Sequence, residues 1–235
     1  MNPTVVRLAA AALLGRRRAL VLLLIPAVLI ALAILVRVLA HDAEGYDIVV
    51  TLGYTLALPL VALLAASACL GPEVDDGSIV YLLAKPVSRH VIAVSKFAVA
   101  ALATLVFGAL PLALVGIILD SGDVARALAW GVGGGVAGTT YAALFLALAA
   151  LTRHAVVAGL LFVLIWEGVL GGLLAGIRWV SIGAWGRQAA SALSDHVTDA
   201  RLPLTYAVLA AVLTTLAALW ATGDRLRSFT LRGDE

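Results

Sequence analysis

Long apolar runs separated by short polar connections set the layout of this 235-residue chain. They lie at roughly Ala19–Leu39, Ile48–Leu70, Phe97–Leu119, Ala127–Leu151, Ala155–Ile177 and Pro203–Ala221. Each is close to or above the roughly 20 residues a helix needs to cross a hydrocarbon core. None alternates with the period of two, or has the shorter length, that a membrane β-strand would show. The pattern predicts an all-α, polytopic membrane protein with six transmembrane helices in a single transmembrane domain, residues 1–235. The first run follows Arg16-Arg17-Arg18, and Val38-Leu39-Ala40 resembles a small-residue cleavage site. It is nevertheless longer than the roughly 7–15 residues of a signal core, so it reads as a retained span.

Composition agrees. Hydrophobic residues make up 63% and charged residues 13%, the latter about half the usual share. The mean hydropathy of +1.09 is more apolar surface than a 24.2 kDa globule could hide from water. The net charge of +2 says little, because in a membrane protein the placement of charge matters more than its sum. A single cysteine, Cys69, excludes an internal disulfide and thiol-rich metal sites. With Met1 the only methionine, a thioether copper path is excluded as well. His41, His90, His154 and His196 fall in four different connections, so no zinc set and no metal is expected.

Sorting the basic residues by side orients the chain. With the N-terminus inside, cytoplasmic segments hold 11 of the 16 basic residues (Arg7, Arg16, Arg17, Arg18, Lys85, Arg89, Lys96, Arg153, Arg225, Arg227 and Arg232). The other five are Arg37, Arg126, Arg178, Arg187 and Arg201, alongside the acidic Asp42, Glu44, Asp47, Asp120 and Asp123. The positive-inside rule then places both termini in the cytoplasm. Two connections are large, the cytoplasmic stretch 71–96 and the outer stretch 178–202. Residues 2–18 suit a short interfacial helix. No repeat supports an inverted-repeat transporter.

The stretch GPEVDDGSIVYLLAKPVSRHVIAVSK carries the densest chemistry. Pro72 can open a helical turn whose positive end suits Glu73, Asp75 and Asp76. Gly77-Ser78 breaks or re-caps the chain, Ile79, Leu82 and Leu83 form an apolar face, and Lys85-Pro86 stops the helix. Ser88 is a fair N-cap for the helix that follows. A short amphipathic helix fixed between two spans would be a lever offering a rigid face to a cytosolic partner. The plainer alternative is a charged loop lying on the headgroups.

The run Glu73-x-Asp75-Asp76-Gly77-Ser78, then Leu82-Leu83, then Lys85-Pro86-Val87-Ser88-Arg89, with Lys96 beyond, resembles the signature of ABC-2 type ABC transporter permeases. Ser78 stands where threonine is commoner there, and Asp75 where glutamate is. The resemblance implies an ABC-2 exporter-like fold and a coupling helix in 71–96 seated on a separate ATP-binding cassette ATPase. Glu73, Asp75, Asp76, Gly77, Lys85, Pro86, Ser88 and Arg89 would then lie at or near that docking surface, and residues 2–18 would be an elbow helix. It further implies a second permease chain, identical or related, in the lipid of a bacterial plasma membrane. The cargo would be an amphiphile such as a drug, antibiotic or lipid. The sequence has no G-x-x-x-x-G-K-[ST] loop, since Lys85 follows Ala84 and Lys96 follows Ser95. This chain is thus expected to be no enzyme and to bind no cofactor, with ATP and Mg at the partner. Nothing points to nucleic acid.

Glu167 is the one carboxylate inside a run, where a charge costs roughly 2.5–3.5 kcal/mol on insertion scales. It either lines a translocation path with Thr139, Thr140 and Tyr141, which reach similar depth, or makes a structural bond between helices. A small secondary transporter or channel using Glu167 as a proton or cation site is the alternative function. Glycines at 131, 133, 134, 135 and 138, and at 168, 171, 172 and 176, suit close helix packing, with gating as the other reading. The second cluster should bend or break the fifth span. Trp179, Trp185 and Ala189–Leu193 suit a re-entrant, interfacial element. Asp75-Asp76-Gly77 is only faintly similar to phosphatidyltransferase carboxylates, whose downstream aspartates are missing, and no G-x-S-x-G elbow occurs.

Overall fold

The computed structural model describes residues 3–13, 15–39, 43–75, 88–120, 122–152, 154–194, 197 and 201–228. Within these the chain is helical, with no strand. Helix α1 (Pro3–Leu13) precedes α2 (Arg16–Leu39). Helix α3 covers residues 43–75 as Ala43–Leu52, a π-helical turn Gly53–Ala57, and Leu58–Asp75. Helix α4 (Arg89–Leu119) contains a second π-helical turn, Leu105–Ala109. Then come α5 (Val124–Leu151) and α6, residues 155–173, whose middle Phe162–Leu170 is π-helical. A 3-10 turn (Ala175–Val180) leads into the short α7 (Ile182–Ser191), and α8 (Leu204–Ser228) completes the bundle.

Among the described residues five helices are long and apolar enough to cross a membrane: Ala19–Leu39, Gly45–Leu70, Arg89–Leu119, Val124–Leu151 and Leu204–Arg227. The sixth expected run, Ala155–Ile177, is shorter as a helix. Leu174 turns extended (φ −114°, ψ 108°) and ends it after Leu173, amid the glycines at 171, 172 and 176. The 71–96 connection also differs from expectation. Pro72 does not open a new helix, because α3 runs through it to Asp75. Residues 89–96 likewise belong to α4, with Ser88 as its N-cap: the Val91 amide donates to the Ser88 hydroxyl. Asp76, Gly77, Lys85 and Pro86 lie outside the described residues. In α1, Val5, Ala9 and Leu13 recur every four residues and bury one face against α3 and α4.

The first two π turns share a cause. Each is followed by the same tripeptide, Ala57-Leu58-Pro59 or Ala109-Leu110-Pro111. Proline has no N–H and its ring crowds the carbonyl four residues back. The preceding amide therefore reaches one residue further, Leu58 to the Gly53 carbonyl and Leu110 to the Leu105 carbonyl. Each turn places a glycine against a leucine of the other helix. A methyl on Gly53 would strike Leu112, and one on Gly108 would come within 2.6 Å of Leu58 Cδ1. Glycine here makes room for the leucine of the opposite helix.

Helix α5 is the most buried of the spans, and α2 and α8 the most exposed. The described core gathers around α5, whose Tyr141, Phe145 and Leu146 are buried together with Tyr54 of α3.

Candidate functional site

Helix α7 is ten residues long, and almost all of it is buried. A helix end inside a membrane domain has no water to satisfy its first amides. Ser181, extended at φ −92°, caps this end by accepting from the Ala184 amide at 3.1 Å. The Glu167 carboxylate supplies the rest. Its Oε1 accepts from the Ile182 amide at 2.9 Å, and its Oε2 accepts from the Ser181 hydroxyl at 2.6 Å. Glu167 is 2% exposed, so both oxygens are committed to the α7 N-terminus, where the helix dipole also favours a carboxylate. The wide Phe162–Leu170 turn of α6 presents it there.

Tyr141 of α5 faces the same enclave. Its hydroxyl and Glu167 Oε2 each lie 3.3 Å from where a side chain on Gly183 would begin. The fully buried hydroxyl is near the carboxylate and the Gly183 amide but forms no hydrogen bond of good geometry with a described residue. Tyr54 closes the far side. Its hydroxyl donates to the Trp130 carbonyl at 2.6 Å, and its ring lies against Gly186. Helices α5 and α7 meet there backbone to backbone: a methyl on Gly133 would strike the Gly186 carbonyl, and one on Gly186 would come within 2.7 Å of the Gly133 carbonyl. These glycines serve close packing.

Of the residues expected near Glu167, only Tyr141 is there. Thr139 and Thr140 give their hydroxyl protons to their own helix, at the Gly135 and Val136 carbonyls, and face α8 instead. Trp185 is buried, and its indole N–H donates to the Trp179 carbonyl. Tyr206 donates to that same carbonyl at 2.7 Å, and Gln188 Oε1 accepts from the Leu202 amide at 3.1 Å. Both bonds tie α7 and its flanks to the start of α8.

The connection end of the bundle is held separately. Lys96, almost fully buried in α4, donates to the Cys69 carbonyl of α3. That carbonyl is one residue past Ala68, whose carbonyl Pro72 cannot serve for want of an N–H. Ser88 and Arg89 begin α4, and the His90 ring packs directly on Gly223 of α8. At the opposite end Arg37 donates to the Ile118 and Leu119 carbonyls (3.0 and 2.6 Å), so it caps α4 and does not merely reach the interface. Arg126 pairs there with Asp120 and Asp123 and lies over the Trp130 ring. Among the described residues no group of three or more His, Cys, Asp or Glu could hold a metal ion.

Sequence reasoning found Glu167 and Ser88 but missed Tyr54, Ser181 and Arg37 as partners. Ser181 had a readable signal, a serine just ahead of the apolar Ile182-Gly183-Ala184. No curated protein matches the chain significantly. The buried helical spans, the apolar composition and the Glu73–Arg89 pattern meet a direct comparison over residues 14–173, about two-thirds of the chain. Those residues match the family described as ABC-2 family transporter protein, and the chain belongs to that family as a multi-pass membrane permease.

Proposed function

We propose that this chain is the permease subunit of an ATP-driven exporter that works with a separate ATPase through residues 71–96. The family match carries the reading, because ABC-2 proteins are transport subunits of ABC transporters and this sequence has no phosphate-binding loop of its own. In this proposal Glu73, Asp75, Asp76, Gly77, Lys85, Pro86, Ser88 and Arg89 lie at the docking surface. Two permease chains, identical or related, form the path through a bacterial plasma membrane, and an amphiphile is the cargo. ATP and Mg bind at the partner.

The geometry suits force arriving through that segment. Helices α3 and α4 both run into it and are tied near their ends by Lys96 and the Cys69 carbonyl. A push on the segment would move them as a pair. Further along α3, Tyr54 touches α5 and α7, and Glu167 links α7 to α6. The push would thus reach the short buried helix, which on this reading is a re-entrant element near the outer face. A proton- or cation-coupled carrier built on Glu167 has less support, since both carboxylate oxygens already accept hydrogen bonds.

The test is co-purification of the tagged chain with an ATP-binding cassette ATPase from its native membranes, followed by ATP-dependent transport in proteoliposomes. Charge reversal at Glu73 and Asp76 should abolish the complex and leave the permease folded. Cargo movement by the purified chain alone would overturn the proposal.

A further inference from the structure

On the side of α5 away from Glu167, a groove of about 300 Å³ opens between α4, α5 and α8, at the lower end of the sizes at which small-molecule sites occur. Phe97, Val136, Thr139, Thr140, Ala211 and Thr215 are among its described lining residues, none of which is charged. The three threonines lie about halfway along their helices, which would put the groove near the middle of a bilayer that these helices span, and the exposed Val208, Val212 and Leu216 form its outer edge.

The hydroxyl protons decide what this groove can recognise. A threonine hydroxyl has one proton to give and two lone pairs to accept with. Thr139 donates to the Gly135 carbonyl at 2.8 Å, Thr140 to the Val136 carbonyl at 2.9 Å, and Thr215 to the Ala211 carbonyl at 2.8 Å. The Thr140 and Thr215 oxygens are 3.5 Å apart. Their remaining capacity is acceptor capacity only. One such threonine in a membrane helix is ordinary, because the back-bond satisfies the hydroxyl. Three from two helices converging on one groove, Thr140 almost fully buried beside the more open Thr139 and Thr215, make an acceptor cluster to which an acyl chain has nothing to donate.

We propose that this groove binds a neutral lipophilic molecule through a hydroxyl or N–H donor carried away from its ends, entering sideways from the bilayer. An ammonium group is a poor fit, because none of the described lining residues carries a compensating charge. The inference rests on the chain lying in a bilayer and not on the ATPase pairing.

The assay therefore contains no ATPase. The full chain in proteoliposomes is photolabelled with a C16 alkyl diazirine bearing a mid-chain secondary hydroxyl, and in parallel with its mid-chain methyl ether. The hydroxyl probe should label peptides from α5 and α8 about fivefold more than the ether, the ratio expected for one net hydrogen bond. The near-isosteric triple variant Thr139→Val, Thr140→Val, Thr215→Val should bring the hydroxyl probe down to the ether's level. Equal labelling by the two probes would mean an apolar crevice that any chain fills, and would overturn the proposal. So would labelling of α5 and α8 no higher than elsewhere on the lipid face, or a hydroxyl preference that survives the triple variant.

Discussion

Replacing Glu167 by alanine tests whether one carboxylate holds α7 in place. The change removes two hydrogen bonds, from Ser181 at 2.6 Å and from Ile182 at 2.9 Å. Each is worth about 0.5–1.5 kcal/mol net, and a buried donor left without a partner costs about 1–3 kcal/mol. Ser181 can turn its proton elsewhere, but the Ile182 amide cannot move without unwinding the first turn of α7. Together these place the loss at about 3–5 kcal/mol, concentrated at that helix. Glutamine keeps the volume and one acceptor, so Glu167→Gln should lose only about 1–2 kcal/mol. Hydrogen exchange in lipid nanodiscs reads this locally. Amides of residues 182–186 should exchange roughly two to four orders of magnitude faster in the alanine variant, and about tenfold faster in the glutamine variant. Peptides from the middle of α5 should not change. Unaltered protection of Ile182 in Glu167→Ala would show that packing holds α7, while equal acceleration in α5 would show that the whole bundle had loosened.

Three further outcomes follow from the contacts. Gly133→Ala places a methyl against the Gly186 carbonyl, a backbone atom that cannot swing away. It should cost about 1–3 kcal/mol and lower the melting temperature measured in detergent by roughly 3–10 °C. Arg37→Ala strips the cap from the Ile118 and Leu119 carbonyls. It should lose about 1–2 kcal/mol, with Arg37→Lys recovering part of that in the same melting assay. Gly223→Ala drives a methyl into the His90 ring. It should destabilise by about 1–3 kcal/mol, and His90→Ala should relieve most of the loss in a double-mutant cycle. Additive losses there would mean that the two residues do not press on one another.

The spans were legible because lipid leaves the backbone few choices. A run such as Ala19–Leu39 or Val124–Leu151 has to satisfy its amides internally, so the hydropathy pattern alone locates the helix. Helix ends were less legible. Glycine-proline at 71–72 reads as a break, yet α3 continues through it, because a proline near the end of a helix removes a single bond and the turn survives around it. Glu167 stood out as a carboxylate in an apolar run, but its partners did not. Residues 167 and 181 are separated in sequence by a helix end and a 3-10 turn, and only the folded chain brings them to 2.6 Å. Thr139, Thr140 and Tyr141 are consecutive and seem to share one environment when read along the chain. Successive residues on a helix are turned by about 100°, which sends Tyr141 to the carboxylate and Thr139 and Thr140 to the groove.

The repeated Ala-Leu-Pro was also plain in the sequence, and its meaning lies in the pairing of α3 with α4. A π turn widens a helix by one residue and re-aims the side chains around it. At Gly53–Ala57 the widening carries Tyr54 inward, where its hydroxyl reaches the Trp130 carbonyl and its ring lies on Gly186. In α4 the matching turn brings Leu112 against Gly53, and Gly108 receives Leu58 in return. Neither turn can close into a regular helix while Pro59 and Pro111 withhold their amides, so each leucine has a fixed recess in the other helix. Under the proposed coupling role of residues 71–96, a load entering α3 would be shared with α4 at two places, Lys96 with Cys69 near the connection and the leucine–glycine exchange at mid-span. Beyond the second of these, Tyr54 is where α3 meets α7. On the proposed reading the two helices would move as one arm, and α7, which Glu167 caps and Gly186 sets against Tyr54, is the element that arm would reach first.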